Sequence, residues 1–334
     1  MNICINLKKI ALVVLFSILS LSCGDSHKPI ITEPDYMSAP HNVYVIDIDT
    51  KIVTKIADNY FGVIIPAFDL VVSSIENSIR LLDINTGRVK NIPVPGLVFF
   101  GCFSEDGTKF TYRKGTGEIY ISNSDGSNQS YVTDGGYHRL SPDAKYISYI
   151  RTKGETHSLA LFNFETKEER IIKEVKNPAY INQVEFSNDG MYLLCSEVGN
   201  TYTDHSYKVH KIAFQGVFSD TIIYNPETCY FEFKLIPNTS SIVLSRTISL
   251  NSVTSYIVTF DYVSMEEKIL TPGKIPVSSP NGNSVIYYKN ILDQLTVLDL
   301  QTLIERDYSF PNKHITNYSI SADSKKIIMA AYDK

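Results

Sequence analysis

A histidine and an arginine are adjacent in the segment Tyr137-His138-Arg139, and this pair can support proton transfer. Histidine titrates near neutral pH and can act as a general base, while a neighbouring arginine can neutralise a substrate carboxylate. Such a base would remove a proton from the carbon next to that carboxylate. The alternative interpretation of His138 is a structural histidine that is satisfied by local hydrogen bonds.

A second group of reactive side chains lies in the segment 197–207. Tyr202, Asp204, His205 and Tyr207 offer rings for stacking, hydrogen-bonding groups and an acid–base pair. The segment 247–255 is similarly long. We expect both to be connections between strands that together recognise a partner, and the alternative is that they are solvated insertions without a ligand.

These side chains must be positioned by the surrounding elements, and those elements repeat along the chain. A short apolar strand, a turn rich in Ser, Pro, Asp and Gly, and a second apolar strand recur at anchor positions 104, 141, 187, 279 and 321, with degenerate copies at 65 and 236. The anchors are roughly 37–49 residues apart, a spacing typical of the four-stranded blades of a β-propeller. Asp-Gly and Asn-Gly pairs supply the positive φ angles that a tight hairpin needs.

The two ends of the chain complete one repeat between them. Two further strands follow each of the first six anchors, but the seventh anchor lies too close to Lys334, and the missing strands precede the first anchor at 44–50 and 51–57. The sequence therefore predicts an all-β, seven-bladed β-propeller over residues 41–334, with the closing blade shared between N- and C-terminal strands. Such closure removes the open sheet edges. Six or eight blades remain alternatives because two anchors are degenerate.

The repeat places charged residues at equivalent positions of three successive blades. The position two residues before each anchor lies on the innermost strand and holds Val63, Cys102, Arg139, Glu185, Lys234, Val277 and Ser319. Arg139, Glu185 and Lys234 thus form an arc of alternating charge beside the central channel. One interpretation is a site for a charged ligand, and the other is ion pairing between blades with Glu185 between two cations.

The composition excludes several classes of protein. Hydrophobic residues make up 43% and charged residues 20%, as in ordinary globular proteins. The 31 Lys and Arg against 36 Asp and Glu leave an acidic surface, which disfavours nucleic acid as a partner. No two cysteines have zinc-ligand spacing, and the calcium-like segment 123–127 lacks a distal glutamate. We therefore expect no metal and no other cofactor, and we expect Cys102 and Cys195 to be buried free thiols.

The first residues predict export. Lys8 and Lys9 precede an apolar run at 10–21, which is too short to span a bilayer but has the length of a signal-peptide core. The Ser22-Cys23-Gly24 that follows resembles a bacterial lipoprotein signal, with Ser in place of the usual Leu three residues before the cysteine. The resemblance implies a signal peptide at 1–22, lipidation of Cys23, and a location in the cell envelope, on the periplasmic side or at the cell surface. Pro29, Pro34 and Pro40 indicate a flexible tether at 23–40. An ordinary signal peptide is the alternative.

The repeat itself resembles the WD-like repeat of the TolB-type β-propellers of exported bacterial proteins. The motif is specific for architecture, since the same repeat occurs in scaffolds, binding proteins, peptidase gating domains and some polysaccharide lyases. No Gly-x-Ser-x-Gly segment occurs, which disfavours a serine peptidase.

These features predict a non-catalytic, lipid-anchored binding or scaffold protein that is monomeric and contacts the membrane only through its anchor. The expected partner is an envelope protein or an oligosaccharide. The alternative is a polysaccharide or oligosaccharide lyase that uses His, Tyr and Arg at the channel mouth, which requires His138, Arg139 and His205 to converge. The absence of tryptophan, the best side chain for stacking on sugars, favours the first interpretation.

Overall fold

The computed structural model describes residues 41–58, 60, 63–65, 68–75, 77–115, 117–199, 207–224, 233–247, 254–289 and 294–333. These residues form seven four-stranded antiparallel sheets, and no α-helix occurs among them. Within the same ranges no helix has the length and apolarity needed to cross a bilayer. The predicted signal peptide and tether, and with them Cys23, lie outside the described residues.

Six blades follow one another along the chain. Blade 1 contains β3 (Val63–Ile65), β4 (Leu70–Ile75), β5 (Ser78–Asp83) and β6 (Val89–Pro93). Blade 2 contains β7 (Val98–Phe103), β8 (Lys109–Lys114), β9 (Glu118–Asn123) and β10 (Ser130–Asp134). Blade 3 contains β11 (His138–Leu140), β12 (Tyr146–Lys153), β13 (Thr156–Asn163) and β14 (Glu169–Lys176).

The next three blades have the same strand order. Blade 4 contains β15 (Tyr180–Phe186), β16 (Tyr192–Val198), β17 (Tyr207–Ala213) and β18 (Ser219–Tyr224). Blade 5 contains β19 (Lys234–Leu235), β20 (Ser241–Thr247), β21 (Ser255–Asp261) and β22 (Glu266–Pro272). Blade 6 contains β23 (Lys274–Ser278), β24 (Ser284–Tyr288), β25 (Gln294–Asp299) and β26 (Glu305–Ser309).

The seventh blade is built from both ends of the chain. Its inner strands are β27 (Lys313–Ile320) and β28 (Lys326–Asp333), and its outer strands are β1 (Asn42–Asp47) and β2 (Val53–Ala57). β1 pairs with β28 in antiparallel register, with Val43 opposite Ala330 and Ile46 opposite Ile327. The predicted seven-bladed β-propeller with a shared closing blade is confirmed.

The antiparallel strand order defines two faces of the propeller. The connections from second to third strand, and from each blade to the next, lie on one face, which we call the loop face. The turns from first to second and from third to fourth strand lie on the other, the turn face. The first strands of neighbouring blades contact one another, as β11 contacts both β7 and β15, so these strands surround the central channel.

The recurrent serine forms the same turn in five blades. Its hydroxyl donates to the Asp or Asn two residues later, over 2.6–2.7 Å, and accepts the backbone N–H five residues later, over 2.9–3.0 Å. The residue three positions after the serine has a positive φ in each turn, whether it is glycine, alanine or serine. These serines are Ser104, Ser141, Ser187, Ser279 and Ser321, each at most 2% exposed. The sequence repeat is therefore a repeated hydrogen-bonded turn.

Seven hydrophobic clusters of the described residues lie between the blades. Each cluster joins side chains from two neighbouring sheets, and together they cover the seven blade interfaces. The cluster between blades 6 and 7, for example, packs Tyr288 and Phe310 against Ile46 and Ile327. Because burial takes place between sheets, each blade depends on both neighbours for its stability.

Candidate functional site

The arc of charge lies on the innermost strands, as the repeat alignment predicts. Arg139 lies on β11, Glu185 on β15 and Lys234 on β19. The Arg139 guanidinium donates two hydrogen bonds to the Glu185 carboxylate, from Nε to Oε2 over 3.1 Å and from Nη2 to Oε1 over 3.3 Å. The two side chains are only 24% and 19% exposed. This bidentate ion pair joins blades 3 and 4.

The surroundings keep both members of the pair charged. Burial raises the pKa of Glu185, but the charges of Arg139 and Lys234 and the hydrogen bonds outweigh burial and leave this pKa below its ordinary value. Burial lowers the pKa of Arg139, yet the charge of Glu185 raises that pKa overall. Glu185 therefore lies between two cations, as the interpretation of ion pairing between blades requires.

Other hydrogen bonds fix the pair in place. Arg139 also donates to the hydroxyl of Tyr137 over 2.8 Å and to the carbonyl of His138 over 3.1 Å. Gln183 donates to Glu185 Oε1 over 3.2 Å and exchanges two hydrogen bonds with the backbone of Phe233, next to Lys234. The network thus spans blades 3, 4 and 5 and holds the carboxylate in one orientation.

Blade 2 contributes an uncharged thiol at the equivalent position. Cys102 is half-buried, and its Sγ accepts the backbone N–H of Leu140 over 3.0 Å. Burial raises the pKa of this thiol despite the nearby Arg139. Cys195 is fully buried, whereas Cys102 is less buried than the sequence predicts.

The burial of His138 favours its interpretation as a structural histidine over that of a proton-transfer or ligand-binding group. Its side chain is only 6% exposed, and burial, followed by the charge of Arg139, lowers its pKa to about 3. A Cβ atom on Gly101 would lie 2.1 Å from His138 Nε2, so the ring packs directly against the backbone of β7. Successive side chains of a strand point to opposite faces of the sheet, and the two faces of a blade lie against its two neighbours. His138 therefore points toward blade 2, whereas Arg139 points toward blade 4.

The predicted recognition segment is only partly described. Tyr202, Asp204 and His205 lie outside the described residues. Tyr207 is the first residue of β17, is 2% exposed, and packs in the core between blades 4 and 5. The prediction that Tyr207 contributes to an exposed binding surface is wrong, because strand alternation turns its ring into the blade interface.

A second charged network was missed by the sequence analysis. Lys173 of blade 3 lies 3.2 Å from both Glu197 and Asp220 of blade 4. His210, with a side chain 5% exposed, lies between the same carboxylates, 2.8 Å from Asp220 Oδ1 and 3.2 Å from Glu197 Oε2. Burial raises the pKa of Glu197, but the ion pairs lower it overall. Glu197, the single charged residue of β16, was the clearest sequence signal for this link between blades.

Across the described ranges, no three His, Cys, Asp or Glu side chains are grouped so that they could hold a metal ion.

Comparison with known proteins identifies the fold. Neither a protein-family model nor a curated protein matches the sequence. Among solved structures, an oligogalacturonate lyase in complex with manganese is 12% identical, with a TM-score of 0.66 over 91% of this chain and 92% of that one. The oligogalacturonate lyase of Vibrio parahaemolyticus is 13% identical, with a TM-score of 0.65 over 87% and 96% of the two chains.

A third structure is TolB from Acinetobacter baumannii, which is 14% identical with a TM-score of 0.53. That alignment covers 89% of this chain and 64% of the TolB chain. The fold is that of a TolB-like β-propeller. At these identities the likeness defines the architecture of the TolB-like propeller and leaves its activity to be argued from its own residues.

Proposed function

We propose that the protein is a non-catalytic binding or scaffold protein of the bacterial cell envelope, exported and anchored through a lipid on Cys23. The observation that carries this proposal is the state of the channel residues. Arg139 and Glu185 neutralise each other in a bidentate pair, and His138 is buried with a pKa near 3. These groups are engaged in structure, whereas a general base must be able to take a proton near neutral pH.

Recognition is assigned to the loop face of blades 4 and 5. The two long connections leave from the ends of β16 and β20 and return at β17 and β21, in neighbouring blades. Loops that a rigid scaffold positions are common places for binding residues. Tyr202, Asp204 and His205 are suited to hydrogen-bonded recognition of an envelope protein or an oligosaccharide by a monomeric receptor.

Capture from membrane extracts tests this proposal. Wild-type protein on beads should retain a specific partner, and Tyr202→Ala with His205→Ala should abolish retention without moving the melting temperature. Tyr131→Ala on β10 of blade 2 is the matched control, because this tyrosine is 52% exposed and lies away from both connections. Cys23→Ser should release the protein from the membrane fraction. Equal capture by the double variant and wild type would contradict the assignment.

A lyase is the second candidate function, since the structures with the highest TM-scores above are two oligogalacturonate lyases. This function requires accessible proton-transfer groups. Incubation with oligogalacturonate, followed by ultraviolet absorbance of the unsaturated product, separates the two proposals. We expect no product. Formation of product that His205→Ala abolishes would establish the lyase instead.

A further inference from the structure

In four blades, the fourth strand has a lysine or an arginine at the same position of the repeat. In each of these blades the third strand ends in Asp or Asn, and the cation pairs with the residue two positions before that Asp or Asn. The cross-strand pairs are Leu81 with Lys90, Leu161 with Arg170, Thr259 with Lys268, and Val297 with Arg306.

In three of these blades the cation bonds to the next blade. Lys90 Nζ donates to the carbonyl of Ser124 over 3.1 Å, and Arg170 Nη2 donates to that of Phe214 over 2.7 Å. Arg306 Nη1 binds the Asp49 carboxylate over 2.9 Å. In each case the acceptor lies in the turn between third and fourth strands of the following blade. The position therefore normally links one blade to the next.

Blade 5 has a cation at this position, Lys268, but no hydrogen bond or ion pair from it to described residues of blade 6. Within the described ranges, Lys268 makes no hydrogen bond and has no carboxylate at ion-pair distance. Its cross-strand partner is Thr259, where the other three blades have Leu or Val, and the Thr259 hydroxyl also has no hydrogen bond to described residues. Among the described residues of blade 6, no carboxylate forms an ion pair with Lys268.

A cleft of about 310 Å³ occupies the place of the missing link, on the turn face between blades 5 and 6. Ile236, Leu270 and Leu300 give it an apolar floor, and Thr259 and Lys268 lie beside them. Asn283 and Gln301 line the blade 6 side. Their side-chain amides form no hydrogen bond with any residue that the structure describes. The cleft is shallow and open to solvent, with apolar side chains at its base and polar side chains along its sides.

The degenerate turn of blade 5 shapes this cleft. Ile236 replaces the recurrent serine, and Thr239 closes the turn by donating to the Ile236 carbonyl over 2.8 Å. The blade 6 turn approaches so closely that a Cβ on Gly282 would lie 2.3 Å from the carbonyl oxygen of Pro237. The two turns are therefore in contact at one end of the cleft, which fixes its width.

We propose that this cleft binds a small polyhydroxylated anion, such as a sugar acid or a sugar phosphate. The ammonium group of Lys268 would bind the carboxylate or phosphate through a charge-assisted hydrogen bond. The Thr259 hydroxyl and the amides of Asn283 and Gln301 would bind ligand hydroxyls, with the carbon backbone of the ligand on the apolar floor. The site lies on the face opposite the long connections of blades 4 and 5, so it does not depend on the proposed partner.

Titration calorimetry of the full-length protein with gluconate and glucose 6-phosphate tests the site, with glucose as the neutral control. At least one of the anions should bind in the millimolar range or tighter, and glucose at least about tenfold more weakly, because it lacks the charge that Lys268 recognises. Binding of gluconate alone identifies a carboxylate ligand, and binding of glucose 6-phosphate alone identifies a phosphate ligand.

Two matched variants decide whether Lys268 is responsible. Lys268→Gln should weaken binding at least about tenfold while leaving the melting temperature unchanged, since no link between blades is lost. Lys90→Gln removes the cation at the equivalent position of blade 1, whose Nζ already has a carbonyl acceptor, and should leave anion binding unchanged. The proposal is overturned if neither anion binds, if Lys268→Gln binds as well as wild type, or if Lys90→Gln weakens binding equally.

Discussion

At the scale of single residues, neighbours on β11 have opposite environments. Arg139 points toward blade 4 and pairs with Glu185, while the His138 ring is packed against β7 of blade 2 and held neutral. Two adjacent residues that resemble a catalytic pair in the sequence thus have side chains on opposite faces of the strand. Its two members contribute to stability in different ways.

Removal of the Glu185 carboxylate should destabilise the propeller strongly. Glu185→Ala leaves Arg139 without its partner in a largely buried site, and we expect the free energy of unfolding to fall by about 3–5 kcal/mol. Denaturant titration measures the change. Glu165→Ala, at an exposed turn of blade 3, is the control and should change stability by less than about 0.5 kcal/mol. A cost for Glu185→Ala near that of the control would favour a solvated, ligand-binding arc.

His138 should make the fold sensitive to mild acid. Its pKa falls from an ordinary 6.5 to about 3 in the folded state, so the unfolded chain binds the proton more readily below pH 6.5. Above pH 6.5 the histidine is neutral in both the folded and the unfolded state and does not lower the free energy of unfolding. As the pH falls from 6.5 toward 3, protonation of the unfolded chain lowers that free energy by at most about 1.4 kcal/mol per pH unit.

Denaturant midpoints between pH 7 and 5 test this pH dependence. His138→Gln should have a shallower loss of stability with acid than wild type, and Ser130→Ala, at an exposed position of β10, should keep the wild-type slope. The buried His41, whose pKa is also lowered by burial, remains in all three proteins. Equal slopes for His138→Gln and wild type would exclude a proton-linked role for His138.

At the scale of elements, the serine turn is the unit that recurs. One hydroxyl satisfies both an Asp or Asn side chain and a backbone N–H at the start of the second strand, so a single residue type fixes the geometry of the inner hairpin. In blade 5, Ile236 replaces the serine, and the Thr239 hydroxyl donates to the Ile236 carbonyl. This turn lines the cleft between blades 5 and 6.

Loss of one such hydroxyl should weaken its blade. Ser141→Ala leaves the Tyr146 N–H without its acceptor and removes one of the donors to the Asp143 carboxylate, at a side chain that is only 1% exposed, and should cost about 1–3 kcal/mol. Thermal and denaturant melts measure the loss, with the exposed Ser130→Ala on β10 as the control. Matching stability of the two variants would show that the turn does not depend on the hydroxyl.

At the scale of the whole molecule, stability depends on a closed ring. Every blade buries its faces against two neighbours, and the seventh is held by β1 pairing with β28. Opening the ring at either end exposes strand edges and two blade faces together.

Deletion of residues 314–334 should therefore abolish cooperative folding and cause aggregation, because β28 is lost and β1 has no inner partner. Deletion of residues 1–57, which removes the outer strands of the same blade, should have the same effect. Size-exclusion chromatography and circular dichroism melts report both outcomes. A monomeric C-terminal truncation with an unchanged melt would contradict closure by the shared blade.

The sequence by itself determined the architecture. Alternating apolar strands and serine turns are local signals, so they predicted the position of the inner strands, the split of the seventh blade and a count of seven blades, with six or eight left open because two turns are degenerate. They also predicted that Arg139, Glu185 and Lys234 lie at equivalent positions, because corresponding residues of a structural repeat occupy the same place in each blade.

Only the tertiary structure decided how individual side chains are used. The burial of His138 and Tyr207, the network around Lys173, and the missing partner of Lys268 all depend on contacts with a neighbouring blade. Such contacts join residues far apart in sequence, and a one-residue step along a strand reverses which face a side chain occupies. Local pattern therefore defined the strands of this protein, while packing between its blades determined which polar groups are paired and which remain open to a ligand.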